Sequence, residues 1–332
     1  MDCLAQEAAI RARWQSGAET FVLLSSGSTG APAAYPLSRR LLTWSAKQTG
    51  KALDIQPQDR IFCCLPLDKV GGFMQVIRSE EWNIPLRVCS PQTHPMQQLE
   101  DTHPFSITSL TNSQLTASLG VPEEVIRLKC FRVVLVGGEA LAERTEHAAM
   151  QAGIQVWHTY GMTETGSHIA LRRAGTEHFI PFIGVRLRCA EDDGHLIISI
   201  PGILETELHT RDKATIYPDG SFSINGRTDE TIISGGIKIQ PETVEILLHN
   251  SGLLAGRNFA ISSKEDSQWG NVVVLVIEGN PGPLTTETLK SLIAPVIPYG
   301  FPKEIIYAEA LPRTETGKIR RAALRELLRN KH

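Results

Sequence analysis

Short apolar runs alternate with longer amphipathic segments over the first half of the chain. Runs of the length of a strand occupy residues 21–24, 60–65, 131–136 and 154–158. Helical periodicity follows Ser38, which can cap a helix to about Leu53, and it covers residues 73–82 and 140–152 as well. Residues 131–158 form strand, glycine turn, helix and strand, a βαβ unit that makes the two strands parallel. The pattern predicts a large α/β domain with a partly parallel sheet.

Beyond Gly184 the apolar runs become shorter. Strand-like runs occupy residues 196–200, 205–209, 221–224, 258–262, 272–277 and 304–307. Proline is favoured at the first position of a helix, so Pro241 predicts a helix to about His249, and further helices are predicted at residues 286–294 and 320–330. We place the boundary so that residues 1–227 form the large domain and residues 228–332 a small α+β domain.

Composition excludes several classes of protein. Of the 332 residues, 42% are hydrophobic and 21% are charged, as in globular proteins. The 33 basic and 36 acidic residues give a net charge of −3, without the basic field of a nucleic-acid-binding protein. No apolar run is long enough to cross a membrane and the start does not resemble a signal peptide, so we expect a cytoplasmic protein. The six cysteines form no Cys-x-x-Cys pair, so neither a disulfide framework nor a cysteine metal site is predicted.

A loop of small residues follows the first predicted strand. It consists of Ser25, Ser26, Gly27, Ser28, Thr29 and Gly30. The glycines allow successive backbone N–H groups to converge on one anion, and the hydroxyls add donors. No Gly-Lys-Ser/Thr follows, so the loop is not a Walker A motif. Taken alone, it is either a phosphate cradle or a flexible turn.

A second motif follows the predicted strand at residues 154–158. It reads His158-Thr159-Tyr160-Gly161-Met162-Thr163-Glu164-Thr165. Ligands of open α/β sheets bind beyond the carboxyl ends of strands. There Tyr160 can stack on a base, Thr163 can bond a phosphate and Glu164 can hold Mg²⁺; the alternative is a connecting loop with a solvated glutamate.

A third motif has three pieces in the second half of the chain. They are Thr210-Arg211-Asp212, Gly226-Arg227-Thr228-Asp229 and Ser234-Gly235-Gly236-Ile237-Lys238-Ile239. A carboxylate at a strand end, such as Asp212, can accept hydrogen bonds from two ribose hydroxyls. Each piece alone is also compatible with a surface ion-pair network.

The fourth motif is a polar loop near the end of the chain. It reads Leu311-Pro312-Arg313-Thr314-Glu315-Thr316-Gly317-Lys318-Ile319. A single lysine at the tip of a loop, such as Lys318, is normally a solvated charge.

In this order the four motifs resemble those of the adenylate-forming superfamily, which includes acyl-CoA synthetases, peptide-synthetase adenylation domains and luciferases. The resemblance extends over residues 21–328. Within the superfamily the chain looks most like the o-succinylbenzoate–CoA ligases of menaquinone biosynthesis, through residues 64–67, Gly72 with Arg78, residues 160–165 and residues 167–170. It departs at Ala33, where the family has a lysine, and in its short segment before the loop. We expect an N-terminal subdomain to be absent or its contacts to be replaced in a homodimer.

The resemblance implies an ATP-dependent acid–CoA ligase that acts through an acyl-adenylate, with ATP, Mg²⁺, CoA and a small carboxylic acid as its partners. It implies catalytic roles for Lys318, Thr163 and Glu164, with Glu164 as the magnesium ligand. It implies nucleotide contacts from residues 25–30, Gly138, Glu139, His158, Tyr160, Gly161, Thr163, Asp212 and Arg227. It implies acid contacts from Lys69, Gly72, Arg78, Gly137, Ser167 and His168, a hinge at Asp229, and CoA contacts from Ser234, Gly235 and Gly236.

Three alternatives stay open at this point. They are another acyl- or aryl-CoA synthetase, an adenylating enzyme that loads a carrier protein, and a catalytically degenerate nucleotide-binding relative. Arg78 follows an apolar helical stretch, where an unpaired cation is costly, so its partner is either the substrate or a structural carboxylate such as Glu80 or Glu81. His168 is either a ligand or a histidine satisfied within the fold.

Overall fold

A seven-stranded sheet forms the centre of the N-terminal part of the protein. The computed structural model describes residues 2–24, 34–138, 141–234, 237–266, 269–314 and 319–329. The strands of this sheet, in spatial order, are β4 (Leu86–Val88), β3 (Ile61–Cys63), β5 (Ile107–Thr111), β6 (Val133–Gly137), β7 (Val156–Met162), β8 (Ser167–Arg173) and β9 (Ile180–Pro181). The first five are parallel, whereas β8 and β9 join by antiparallel pairing. The predicted α/β class with a partly parallel sheet is confirmed.

In the described part of the chain, six α-helices accompany this sheet. They are α1 (Cys3–Gln15), α2 (Arg39–Ala52), α3 (Val70–Trp82), α4 (Asn112–Leu119), α5 (Pro122–Lys129) and α6 (Glu143–Gln151). Residues 133–136 of β6 are all buried, as expected for a parallel strand covered on both faces. Ser38 caps α2 as predicted, because its side chain accepts a hydrogen bond from Leu41 N–H. The predicted start of α6 at residue 140 is wrong: the helix begins at Glu143, because Ala142 still has an extended backbone.

Two antiparallel sheets lie beside the central one. The first pairs β1 (Thr20–Leu24) with β2 (Ala34–Ser38), and the second contains β10 (Arg186–Cys189), β11 (His195–Ser199), β12 (Leu208–Ile216) and β13 (Phe222–Arg227). Leu24 pairs with Ala34, so the last residue of β1 and the first residue of β2 lie side by side. In the second sheet Asp212 pairs with Arg227, which brings two parts of the third motif side by side.

The last third of the chain has its own small sheets. Its elements are β14 (Ile232–Ser234), β15 (Ile237–Ile239), α7 (Pro241–Ser251), β16 (Phe259–Asp266), β17 (Gly270–Glu278), α8 (Thr286–Ile293), β18 (Glu304–Ala308) and α9 (Arg321–Arg329). β14 pairs with β15, and β17 lies between antiparallel β16 and parallel β18. Among the described residues, two apolar clusters draw only on residues 232–328 and five others only on residues 3–224. The division into two domains with a hinge at Asp229 stays a prediction.

None of the helices described is long and apolar enough to cross a membrane.

Candidate functional site

The second motif lies at the carboxyl edge of the central sheet. β7 extends through Met162, beyond the predicted end at residue 158, because residues 157–162 pair with β8. The hairpin is tight at Gly161, where an added Cβ would lie 2.2 Å from the Ser167 carbonyl oxygen. A short 3₁₀ turn at Thr163–Thr165 connects the two strands and carries Glu164. The motif is therefore part of a hairpin and not a free connecting loop.

Tyr160, Asp212 and Arg227 form one hydrogen-bonded group. The Tyr160 hydroxyl donates to Asp212 Oδ2 at 2.7 Å, and an Arg227 NH1 nitrogen donates to Asp212 Oδ1 at 2.9 Å. Arg227 Nε also donates to Asp229 Oδ1 at 3.0 Å. The structure thus brings together the residues predicted to hold base and ribose with the residue predicted as a hinge.

Burial and neighbouring charges shift the pKa values of Tyr160 and Asp229. Burial, followed by the charge of Asp212, raises the pKa of Tyr160 far above its ordinary value, so the phenol stays a donor. Burial opposes ionisation of Asp229, but hydrogen bonding and charge from Arg227 lower its pKa overall. The ring of Tyr160 packs edge-on against Phe222, with 5.3 Å between ring centroids. The phenol is therefore held in one orientation by its ring and its hydroxyl.

Glu164 lies against β2, which follows the Ser/Gly loop. It raises the pKa of Tyr35, first through a side-chain hydrogen bond and then through its charge. Tyr35 lies one residue beyond Ala34, where β2 begins. The predicted magnesium ligand therefore lies near the start of β2, the strand that follows the predicted phosphate loop in the sequence. Carboxylate and hydroxyl oxygens, as in Glu164 and Thr163, are the ligand type that Mg²⁺ prefers.

Arg78 on α3 is buried beside β8. Its side chain is 2% exposed, and an NH2 nitrogen donates to Ser167 Oγ at 3.0 Å and lies 3.4 Å from His168 Nδ1. Its Nε finds no hydrogen-bond partner among the described residues. Burial lowers its pKa to about 9, which still leaves it a cation at neutral pH.

Of the two alternatives for the partner of Arg78, the structural one at Glu80 or Glu81 is wrong. Glu80 instead pairs with Arg11 of α1, and Glu81 accepts a hydrogen bond from Thr43 of α2 at 3.4 Å. Glu80 lies two residues beyond Arg78 and so does not face it on the helix, whereas Glu81, three residues beyond, is engaged by Thr43 of α2. No ion pair joins Arg78 to any acidic residue of the part of the chain that the structure describes.

Three further residues predicted to contact the acid, Lys69, Gly72 and Gly137, make close contacts within the protein itself. Lys69 precedes α3 and pairs with Asp68 at 3.2 Å. At Gly72 an added Cβ would lie 2.2 Å from the Pro66 carbonyl oxygen, so this glycine allows α3 to pack on the preceding loop. Gly137 ends β6, where a Cβ would lie 2.0 Å from Thr159 Oγ1. Contacts of these residues with an acid stay predictions.

Two of the predicted nucleotide contacts are Gly138, which follows β6, and His158, which lies within β7. Gly138 has a φ of +94°, a conformation that glycine adopts easily. His158 is 7% exposed, with its Nδ1 3.4 Å from an NH2 nitrogen of Arg172. That arginine pairs with Glu146 at 2.6 Å. His158 is therefore buried next to an ion pair.

Several predicted residues fall outside the described residues. They are the Ser/Gly loop at residues 25–30, Glu139, Gly235, Gly236 and Lys318. Ser234, the remaining predicted CoA contact, ends β14 and is 8% exposed. Two described residues near the site were missed from the sequence: Tyr35, which contacts Glu164, and Thr49, which lies 2.9 Å from His168 Nε2. Both contacts join segments distant in sequence, so no local motif signals them.

Comparison with protein families places the chain in one of them. Residues 7–192, more than half of the chain, match the family described as AMP-binding enzyme, and the chain belongs to this family. It is 28% identical over 342 residues to a 2-succinylbenzoate–CoA ligase from Listeria innocua, covering 94% of this chain and 71% of that protein. It is 27% identical over 364 residues to an indoleacetate–CoA ligase from Aromatoleum aromaticum, covering 96% and 69%.

A solved structure supports the same family. It is an acyl-CoA synthetase (AMP-forming)/AMP-acid ligase II-like protein from Dyadobacter fermentans, 30% identical, with a TM-score of 0.63. The alignment covers 98% of this chain and 94% of that chain. The resemblance seen in the four motifs is thus confirmed at the level of the family and the fold.

Proposed function

We propose that the chain is an ATP-dependent acid–CoA ligase acting through an acyl-adenylate, and that its acid is a dianion such as o-succinylbenzoate. Membership of the AMP-binding enzyme family supports the adenylating step. The observation that carries the choice of acid is Arg78, a buried guanidinium without a carboxylate partner among the described residues.

The reaction has two halves. A carboxylate oxygen of the acid attacks the α-phosphorus of ATP, the bond to the β-phosphate breaks, and pyrophosphate leaves. The CoA thiolate then attacks the acyl carbon, and AMP leaves as the thioester forms. The first half brings two anions together, so neutralising their charge is the main requirement.

The described residues supply part of the nucleotide and magnesium site. Asp212, held by Tyr160 and Arg227, has lone pairs left to accept ribose hydroxyls. Glu164 offers a ligand for Mg²⁺, which would neutralise phosphate charge, and Thr163 offers a hydroxyl to the α-phosphate. The Ser/Gly loop and Lys318 are proposed to complete the phosphate site, on the family resemblance alone.

Arg78 provides a place for a second carboxylate. A buried cation that lacks a counter-ion is strongly unfavourable, and an acid with two carboxylates removes that cost when it binds. Ser167, which Arg78 contacts, pairs with Met162, the residue before Thr163. The proposed anion site and the proposed α-phosphate site therefore lie on the same hairpin. One carboxylate can react while the other is held.

A panel of acids tests this proposal through release of pyrophosphate. We expect o-succinylbenzoate to be used with a higher kcat/KM than 4-oxo-4-phenylbutanoate, which lacks the ring carboxylate, and than indoleacetate. Arg78→Met keeps an apolar stem but removes the cation, and it should lower kcat/KM for the diacid about ten- to a hundredfold more than for the monoacid. Arg87→Ala, an exposed arginine of β4, is the matched control.

The outcomes separate the alternatives. Use of a monoacid in preference to every diacid would replace the proposed substrate by that of another acyl- or aryl-CoA synthetase. Activity only with a carrier-protein thiol would indicate a loading enzyme. Absence of ATP–pyrophosphate exchange with every acid would leave a nucleotide-binding relative without catalysis. The cytoplasmic location and the homodimer stay predictions.

A further inference from the structure

A chain of three buried side chains joins α2, β8 and α3 at the proposed acid site. Thr49 is 0% exposed, His168 is 6% exposed and Arg78 is 2% exposed. Thr49 Oγ1 lies 2.9 Å from His168 Nε2, and His168 Nδ1 lies 3.4 Å from an Arg78 NH2 nitrogen. The imidazole therefore bridges a helix threonine and the unpaired guanidinium.

The contact with Arg78 favours one tautomer of the histidine. A guanidinium can only donate, so Nδ1 faces Arg78 as an acceptor and Nε2 carries the ring hydrogen. The Thr49 hydroxyl can accept that hydrogen while it donates its own to the Ser45 carbonyl oxygen at 2.9 Å. Nδ1 is left with a lone pair, which faces the N–H donor of Arg78.

The surroundings of His168 keep it neutral. Burial, and then the positive charge of Arg78, lower the pKa of His168 well below its ordinary value. Its ring packs edge-on against Phe182, with 5.5 Å between ring centroids. A neutral, fixed ring with an acceptor at Nδ1 can orient a cation without competing for the anion that this cation attracts.

We infer that Thr49 and His168 are positioning residues, which orient the Arg78 guanidinium toward an anionic group of the acid substrate. The inference rests on the proposed function. It assigns His168 to Arg78 and not to the substrate, because both ring nitrogens already have partners. Ser167 Oγ is the second acceptor that holds the same NH2 nitrogen, at 3.0 Å.

Two matched pairs of variants test the inference through the ratio of kcat/KM for o-succinylbenzoate to that for 4-oxo-4-phenylbutanoate. Thr49→Val removes the hydroxyl at nearly constant volume and should lower the ratio about tenfold, whereas Thr49→Ser should restore it. His168→Asn keeps an acceptor near the position of Nδ1 and should retain more of the ratio than His168→Leu. A purely structural role would lower both kcat/KM values together and leave the ratio unchanged.

The ¹⁵N NMR spectrum of the histidine side chains provides a readout without substrate. We expect His168 in the wild-type protein to be the Nε2–H tautomer at pH 6 and above, and Thr49→Val to allow the Nδ1–H tautomer. An Nδ1–H tautomer in the wild-type protein, or a diacid preference that survives Thr49→Val, would overturn the inference. A wild-type enzyme without diacid preference would instead overturn the proposed acid.

Discussion

At the scale of single residues, Asp212 has a carboxylate with two different donors. Tyr160 occupies Oδ2 and Arg227 occupies Oδ1, while each oxygen keeps a further lone pair for a ligand. This arrangement fixes the plane of the carboxylate before a nucleotide arrives. Preorganisation of this kind reduces the cost of ordering the site when a ligand binds.

Asp212→Asn is expected to weaken ATP binding about ten- to a hundredfold, because a charge-assisted hydrogen bond is lost and an amide cannot accept with both heteroatoms. Tyr160→Phe should have a smaller effect in the same direction. Isothermal titration calorimetry with ATP gives both values, and Asp192→Asn, an exposed aspartate, is the control. Unchanged affinity in Asp212→Asn would remove this residue from the ribose site.

Asp212 was predicted from its residue type and Arg227 from the family resemblance, and the structure brings them together. The sequence did not predict that Arg78 lacks a carboxylate partner or that Thr49 contacts His168. Those facts depend on how α2, α3 and β8 pack, and no spacing along the chain reports that packing. The role of a residue could therefore be predicted where it follows from the type of side chain. It could not be predicted where it depends on a contact with a residue distant in the sequence.

At the scale of elements, close packing positions the helix that carries Arg78. Gly71 and Gly72 both lie in the first turn of α3. A Cβ at Gly72 would meet the Pro66 carbonyl oxygen at 2.2 Å, which is backbone and cannot move aside alone. A Cβ at Gly71 would meet only the Leu65 side chain at 3.2 Å. The packing therefore leaves no room for a side chain at Gly72, whereas at Gly71 it leaves room if the Leu65 side chain adjusts slightly.

Gly72→Ala should lower the free energy of unfolding by about 1–3 kcal/mol or more, because α3 must shift away from the loop before it. Gly71→Ala should be neutral or stabilising by up to about 1 kcal/mol, since alanine is the better helix former. Urea denaturation of both variants measures the difference. Equal effects would contradict the close approach of α3 at Gly72.

Element predictions succeeded where the pattern is local. The cap at Ser38 was found as predicted, and a strand predicted at residues 131–136 is present as β6 at Val133–Gly137, because capping chemistry and a continuous apolar run are properties of short segments. The end of β7 was placed too early, since its last residues are strand only through pairing with β8. Where the end of a strand depends on pairing with another strand, it cannot be predicted from the sequence of that strand alone.

At the scale of the whole molecule, ion pairs connect the proposed ribose site with the last helix. Arg227 binds Asp212 and lies 4.0 Å from Glu230, and Arg321 Nε at the start of α9 pairs with Glu230 at 2.7 Å. Arg321 also pairs with Glu245 at 2.7 Å and lies 3.8 Å from Glu242. Three carboxylates around one guanidinium carry excess negative charge. A proton on one of them relieves this excess charge.

We expect Glu242 to hold this proton, because it lies 3.8 Å from Arg321 whereas Glu230 and Glu245 both lie at 2.7 Å. Burial, followed by the nearby Glu230, raises the pKa of Glu242 to about 8. A group whose pKa is raised in the folded state stabilises the protein fully below its unfolded pKa and loses that contribution as the pH rises through its folded pKa. For Glu242 the loss should extend from about pH 4.5 to about pH 8.

Glu242→Gln replaces the protonated carboxyl by a neutral amide of the same shape, so its effect on stability should depend on pH. We expect little change in the free energy of unfolding at pH 4.5 and a gain on the order of 2–4 kcal/mol at pH 8.5, relative to the wild-type protein. Urea denaturation across this range measures the gain, and Glu309→Gln, an exposed glutamate, should show no such trend. A gain that is equal at both pH values would mean that Glu242 does not titrate between them, and that the excess charge around Arg321 is neutralised elsewhere in the cluster.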